Sequence, residues 1–288
     1  MTESALKNQT DQRQSVYIDT MVWIDLLEAS ETTRTSVVHN LKTNYHVIPS
    51  YDVVCELFIP EERTAALSAM QLISGFIASD GMLPGACMMK RLECQRALYG
   101  IPPYEVMTPK SALGVLADMV EGGESLRSTF REAAKDRKQG FRASMKAFLK
   151  LDSEVPDGTP DFCWPWSQPQ FVSKMLQSQH YVEIMGRRLP KHEVKMLISA
   201  KSALQHLRMT MLWFAAYTYA IVKDIKEVER GDQFDSDHLV SALPVDLLVT
   251  KDRSFLAVTR LIQDLIHPRV IYAGDLLPEL YPAGPASE

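Results

Sequence analysis

The sequence predicts an α/β domain that is split by a large all-helical insertion. Short apolar runs typical of buried strands lie only near the two ends of the 288-residue chain. Between them, apolar residues recur at helical spacing. We therefore assign residues 1–14 to a disordered leader, residues 15–59 and 231–283 to the α/β domain, and residues 60–230 to the helical insertion.

The first α/β half contains two predicted strands, each followed by a helix. Residues 15–19 are apolar and end in an acid, which indicates a short buried strand. Residues 20–29 place their apolar side chains on one stripe, as a helix requires. The second strand covers residues 44–49, and Ser50 is the predicted N-cap of the next helix.

The elements of the insertion and of the second α/β half are predicted from the spacing of apolar residues and from the residues that start or end helices. Thr108 followed by Pro109 is typical of a helix start. Within the insertion we predict helices at 63–79, 84–99, 109–120, 124–151 and 191–229, the last with at most one break, and a proline- and aromatic-rich loop at 156–169. In the second half we predict helices at 237–243, 255–266 and 276–280, and strands at 246–250 and 270–272.

Composition indicates a soluble cytoplasmic protein. The four cysteines form no C-x-x-C pair and no zinc spacing, so we expect reduced thiols in an intracellular chain. The first 14 residues lack the apolar core of a signal peptide. The most apolar stretch, residues 209–222, is shorter than the ~20 residues that a membrane span needs. The net charge of −5 argues against a uniformly basic surface, but it permits a local basic groove.

Acidic residues follow the predicted strands or lie in the helices after them, and we expect four of them to be the metal ligands and catalytic residues: Asp19, Glu56, Asp237 and Asp252. In an open α/β sheet, ligands bind outside the carboxyl ends of the strands. Carboxylates collected there bind hard cations such as Mg²⁺ or Mn²⁺, which activate water for attack on phosphodiesters. Supporting residues or alternative ligands are expected at Thr20, Asp235, Asp246 and Thr250.

The two ends of the chain resemble the PIN-domain nuclease superfamily. The motifs are Tyr17-Ile18-Asp19-Thr20, Glu56 after the second strand, Asp237 ahead of Ser241-Ala242, and Leu248-Val249-Thr250-Lys251-Asp252. The resemblance covers residues 15–58 and 234–282 and implies a parallel three-layer α/β fold with Mg²⁺- or Mn²⁺-dependent cleavage, most often of RNA. Met21 replaces the usual Asn after Thr20, and the insertion has no counterpart in small members.

Each acid has a simpler structural alternative. Asp19 and Asp252 would also serve as N-caps of the helices that follow them. Asp237 would serve as a cap if Asp235 were the ligand, and Glu56 would be a solvated helix residue. His238 is either a ligand or base beside the acids, or a helix residue near the rim, which is the interpretation we favour.

The insertion offers a candidate nucleic-acid surface. Residues 125–150 are rich in Arg and Lys, and the residues predicted to contact phosphates are Arg131, Lys135, Lys138 and Arg142. A solvated helix face is the alternative. The loop at 162–166 would either stack on bases or pack as a plug on the insertion. The aromatic run at 213–219 is either core or a subunit interface, so a homodimer is a predicted partner, and a protein regulator is another.

The sequence therefore predicts a hydrolase, a metal-dependent endonuclease whose favoured substrate is single-stranded RNA. The alternatives are a non-catalytic PIN-like scaffold, in which the helical insertion is the working surface, and a nuclease directed at DNA in defence or repair. No membrane partner is expected.

Overall fold

The computed structural model describes residues 13–59, 63–101, 106–151, 161–223 and 232–282, with the backbone alone at residues 63, 133–151, 222 and 232–234. Most of the predicted leader, residues 1–12, lies outside this set, and Gln14 already belongs to the first strand. No helix in the described ranges is long and apolar enough to cross a membrane.

A four-stranded parallel sheet organises the fold, as expected. Its strands are β1 (Gln14–Ile18), β2 (Tyr45–Val47), β3 (Leu247–Thr250) and β4 (Arg269–Tyr272), in the order β2-β1-β3-β4. Val16 of β1 pairs with Val47 on one side and Leu247 on the other. All four residues of β3 are buried, as expected for a central strand of a parallel sheet whose two faces are covered.

Helices α1 (Thr20–Glu28), α2 (Glu31–Asn44) and α3 (Tyr51–Phe58) accompany the first two strands. Ser50 caps α3 by accepting from the Val53 amide at 3.2 Å, as predicted. Helix α2 was not predicted. It is polar, and it buries only Val37 and Leu41, so its apolar periodicity is too weak to detect from sequence.

Between α3 and residue 232 the described residues contain no strand of the sheet, and the helices are α4 (Arg63–Asp80), α5 (Ala86–Tyr99), α6 (Pro109–Leu151), α7 (Trp164–Ser167), α8 (Pro169–Leu176), α9 (Gln179–Met185), α10 (Lys191–Ser199) and α11 (Gln205–Val222). The two helices predicted at 109–151 join across a kink at Gly123, whose φ of 55° is left-handed. The helix predicted at 191–229 is broken once, as allowed for, by a 3₁₀ turn at Lys201–Ala203, and its residues 224–229 lie outside the described set. The predicted loop at 156–169 contains α7.

The chain ends with α12 (Asp232–Ser241), α13 (Arg253–Arg260), a 3₁₀ turn at Gln263–Leu265 and α14 (Ala273–Leu276). Three predictions need correction. Asp237 was expected to begin a helix, but it lies in the second half of α12. The helix predicted at 255–266 ends at Arg260, and the one predicted at 276–280 is replaced by α14.

Part of the helical segment α4–α11 shares the core of the sheet. The Trp23 ring of α1 meets the Phe76 ring of α4 at 5.1 Å, and Trp213 of α11 meets Phe255 of α13 at 5.2 Å. These residues belong to the same apolar cluster as β1 and β3. A second, smaller cluster joins α8, α9 and α10 to parts of α5 and α11.

The start of α5 is fastened to the α/β elements by a buried carboxylate. Asp52 of α3 accepts from the Ala86 amide at 2.6 Å and from the Ser241 hydroxyl of α12 at 3.0 Å. Gly85 permits this approach, because a Cβ there would lie 2.7 Å from Asp52 Oδ1. One side chain therefore joins α3, α5 and α12.

Gly85→Ala should lower the free energy of unfolding by roughly 1–3 kcal/mol, because the added methyl displaces a buried, hydrogen-bonded carboxylate. The matched control is Gly114→Ala in α6, where nothing lies within 4 Å of the new Cβ. That change should stabilise the protein by about 0.5–1 kcal/mol. Urea unfolding of both variants measures the difference, and equal stability would contradict the Asp52 constraint.

Candidate metal centre

The candidate centre lies at the point where the strand order of the sheet reverses, between β1 and β3. From β1 the chain crosses to β2 on one side, and from β3 it crosses to β4 on the other side. A crevice therefore forms outside the carboxyl ends of β1 and β3, which is the ligand-binding position of open α/β sheets. Asp19 directly follows β1, and Thr250 is the last residue of β3.

Asp19 is held by β3 and by the start of α1. Its Oδ2 accepts from the Thr250 hydroxyl at 2.6 Å, and its Oδ1 accepts from the Met21 amide at 3.3 Å. The Thr250 oxygen in turn accepts from the Asp252 amide at 3.0 Å. Asp19 is thus the N-cap of α1, and the Thr250 hydroxyl fixes the orientation of its carboxylate.

Glu56 and Asp19 meet at His238. The His238 Nε2 atom lies 3.4 Å from Glu56 Oε2 and 3.7 Å from Asp19 Oδ1. On the other side of the ring, Nδ1 lies 2.7 Å from the Tyr17 hydroxyl, which is 3.0 Å from Ser50 Oγ. His238 is only 4% exposed, so the expectation that it lies near the rim is wrong.

Burial and the neighbouring charges shift the pKa values of Asp19 and His238 in opposite directions. Burial raises the pKa of Asp19, and the nearby His238 and the Thr250 hydrogen bond offset this only in part. Burial alone would lower the pKa of His238, but the Tyr17 oxygen and the carboxylates of Glu56 and Asp19 outweigh it and raise that pKa well above its ordinary value. The raised pKa favours the imidazolium form of His238, in which Nδ1–H would donate to Tyr17 and Nε2–H would face both carboxylates.

Asp237 is engaged by a lysine from the helical segment. Its Oδ1 atom lies 3.2 Å from Nζ of Lys90, a side chain of α5 that is 1% exposed. Lys90 was not predicted as part of the centre, because nothing in the pattern of α5 distinguishes it from the exposed basic residues Arg91 and Arg96 of the same helix.

Asp252 is the N-cap of α13, the alternative considered for it. Its Oδ1 accepts from the Ser254 amide at 2.7 Å, the Phe255 amide at 2.9 Å and the Ser254 hydroxyl at 2.7 Å. The Asp252 amide is linked to Asp19 through the Thr250 hydroxyl.

The remaining predicted supporting residues fall in different places. The Thr20 hydroxyl, next to Asp19, is buried and has no hydrogen-bond partner in the described structure. Asp235 lies in α12, three residues before His238. Asp246 is at the opposite edge of the sheet, where it accepts from the Ser15 amide and hydroxyl at 2.8 and 2.7 Å. The amino end of β3 cannot bring Asp246 to the ligands, so its predicted supporting role is corrected.

The predicted nucleic-acid contacts are described only in part. Arg131 donates to the Ile59 carbonyl at 3.1 Å and to Glu124 at 2.9 Å, which fastens α6 to the end of α3. The side chains of Lys135, Lys138 and Arg142 lie outside the described residues.

The aromatic loop at 162–166 packs on the helical segment. Phe162 meets Tyr219 at 5.6 Å, and Trp164 meets Phe171 at 5.1 Å. The plug alternative is therefore the one observed for these two rings.

The four predicted carboxylates do not assemble as one cluster. Within the described part of the chain, no three His, Cys, Asp or Glu side chains form a group that could hold a metal ion. Asp19 and Glu56 both lie against His238 Nε2. Mg²⁺ commonly keeps several waters and binds one or two carboxylates, so Asp19 and Glu56 are the residues that would hold a hydrated ion.

No protein-family model, curated protein or solved structure matches the chain.

Thr250→Val should destabilise the protein by roughly 1–3 kcal/mol, because it leaves the Asp252 amide unsatisfied and removes the donor to Asp19. Thr250→Ser keeps the hydroxyl and should recover most of the loss. Thermal unfolding of the two variants distinguishes the contribution of the Thr250 hydroxyl to stability from that of its methyl group. Equal destabilisation of the two would show that the hydroxyl is not the stabilising group.

The free energy of unfolding should fall as the pH rises from 6 to 9. The raised pKa of folded His238 means that the folded state keeps a proton that the unfolded state releases near the ordinary His pKa of about 6.5. The stabilisation from protonated His238 is fully present below a pH of about 6.5 and is lost as the pH rises to the raised pKa of the folded state.

His238→Gln should flatten that dependence, whereas His39→Gln, at an exposed position of α2, should preserve it. Urea unfolding across the pH range is the measurement. Identical slopes for wild type and His238→Gln would contradict the imidazolium assignment.

Proposed function

We propose that this chain is a divalent-metal-dependent nuclease that hydrolyses phosphodiester bonds, with single-stranded RNA as its favoured substrate. The observation that carries the proposal is the convergence of Asp19 and Glu56 on one buried position at the switch point of a parallel sheet. The choice of RNA rests on the resemblance of the strand-end motifs to the PIN-domain nucleases.

The proposed roles follow from the contacts of each residue. Asp19 and Glu56 would bind Mg²⁺ or Mn²⁺, and Thr250 holds the Asp19 carboxylate in place. When bound, such an ion supplies an activated water and neutralises charge that develops on the phosphate. Tyr17 fixes the His238 ring through Nδ1, so that Nε2 keeps the two carboxylates at a common position.

We also propose that the helical segment α4–α11 is an insertion into a PIN-like fold. The strand order β2-β1-β3-β4 and the positions of Asp19, Glu56 and Thr250 support this. Because α4 and α11 share the core of the sheet, the segment acts as part of the scaffold. In this proposal the predicted supporting role of Thr20 and the phosphate contacts of Lys135, Lys138 and Arg142 remain predictions.

A non-catalytic scaffold is the second candidate, and one observation favours it. Asp237 is paired with Lys90 and Asp252 caps α13, so two of the four predicted ligands already have partners. In that case the acids would stabilise the fold, and the helical segment would be the interaction surface. A DNA-directed nuclease is distinguished from an RNA-directed one by comparing cleavage of the two polymers.

Asp19→Asn should reduce Mn²⁺-dependent cleavage of labelled single-stranded RNA by roughly 100-fold or more, because it removes a ligand charge from the reacting centre. The matched control is Asp246→Asn, which changes an acid at the opposite edge of the sheet. Asp246→Asn should keep the wild-type rate. Circular dichroism confirms that both variants are folded.

The same assay with single-stranded DNA identifies the polymer. Cleavage of DNA alone would replace the RNA assignment with a DNA-directed nuclease. Cleavage of neither polymer by the folded wild-type protein, together with no Mn²⁺ binding in calorimetry, would sink the nuclease proposal and favour the scaffold.

A further inference from the structure

The candidate centre is largely closed to solvent. Asp19 is 5% exposed, and the Thr250 side chain that holds it is fully buried. A nuclease must bring the scissile phosphate to within about 3–3.5 Å of the attacking group. Some part of the chain must therefore move before a polymer can react at Asp19.

Residues 277–282, which follow α14 and which we call the strap, are fixed at two points. At one end, Leu277 is fully buried and its carbonyl accepts from the Tyr281 amide at 3.1 Å. At the other end, the Tyr281 hydroxyl donates to Asp25 Oδ2 at 2.6 Å. Asp25 belongs to α1, the helix that begins directly after Asp19. The strap therefore connects α14 to the helix that carries one side of the centre.

Tyr281 lies against the elements that border the crevice. The second oxygen of Asp25 accepts from Lys251 Nζ at 2.6 Å, and Lys251 directly follows Thr250 at the end of β3. On its other side, the Tyr281 ring meets the Tyr272 ring at 6.2 Å. Tyr272 is the last residue of β4 and the register partner of Thr250. One side chain of the strap thus contacts α1 and the end of β4, next to the end of β3.

The Tyr281 hydroxyl is a donor to Asp25 and not a phenolate. Burial, and then the hydrogen bond to Asp25 and the charge of that carboxylate, raise the pKa of Tyr281 above its ordinary value. Asp19 also contributes to the rise, as expected if Tyr281 lies near the centre. The contact between Tyr281 and Asp25 is therefore a hydrogen bond to a charged acceptor, which is stronger than one between neutral groups.

We propose that the strap covers one side of the centre, that the hydrogen bond from Tyr281 to Asp25 is its latch, and that a single-stranded polymer reaches Asp19 when the latch opens. The inference rests on the proposed function for the polymer. Opening breaks one hydrogen bond, while Lys251 keeps the Asp25 charge paired, so α1 and β3 stay in place. Segments that move to admit a substrate are drawn from such weakly held parts of a fold.

Hydrogen exchange of the full chain tests the latch without reference to activity. Tyr281→Phe removes the hydroxyl and keeps the ring, and should raise the open population roughly tenfold. Peptides that contain the Met21 and Asp252 amides should then exchange correspondingly faster in mass spectrometry, because these amides are bonded within the centre, to Asp19 and Thr250.

The matched control is Tyr272→Phe, which makes the same chemical change in the other ring of the pair. In the described part of the chain the Tyr272 hydroxyl has no hydrogen-bond partner, so this variant should exchange as the wild type does. Equal exchange in wild type and Tyr281→Phe would overturn the latch. Faster exchange in the strap but not at the Met21 and Asp252 amides would overturn its position over the centre.

Cleavage of labelled single-stranded RNA with Mn²⁺ tests the consequence for access. Tyr281→Phe should cleave about 3–10-fold faster than wild type, because more of the protein is open, and Tyr272→Phe should match wild type. Faster exchange with an unchanged or lower cleavage rate would overturn the role of the strap in access. Faster exchange with no cleavage by any of the three proteins would overturn the proposed function, while the exchange result would still support the latch.

Discussion

The parallel pairing of β1 with β3 is the constraint on which the candidate centre depends. It brings Asp19 and Thr250, 231 positions apart in the chain, to a hydrogen-bond distance of 2.6 Å. The register of Tyr17 with Leu248 and Ile18 with Val249 fixes where both strands end. The other groups of the centre are positioned relative to that shared edge. A change in the register of β1 with β3 would therefore separate Asp19 from Thr250 even if the sheet stayed folded.

Buried charged side chains hold the helical segment in place, both against the α/β elements and within itself. Asp52 binds the start of α5, Lys90 meets Asp237, and Glu93 accepts from the His206 amide at the start of α11 at 3.0 Å. In each case a helix from one part of the chain satisfies a polar group of another. Removing one partner leaves a buried group unsatisfied, which is why such contacts specify how the helices pack.

The sequence predicted those parts of the fold that local pattern encodes. The four strands, the cap at Ser50 and the place of Asp19 after β1 follow from short apolar runs and the polar residues that end them. Helix α2 was missed because its buried face consists of Val37 and Leu41 alone. The Lys90 contact could not be predicted, since it joins residues 147 positions apart through the packing of two helices.

A crystal structure of the chain soaked in Mn²⁺ tests the central claim most directly. Anomalous scattering at the manganese edge locates the ion without reference to activity or affinity. The account predicts an anomalous peak within coordination distance of the Asp19 and Glu56 carboxylates. A peak on Asp237 or Asp252 with none at Asp19 and Glu56, or no peak at the carboxyl end of β1, would contradict it.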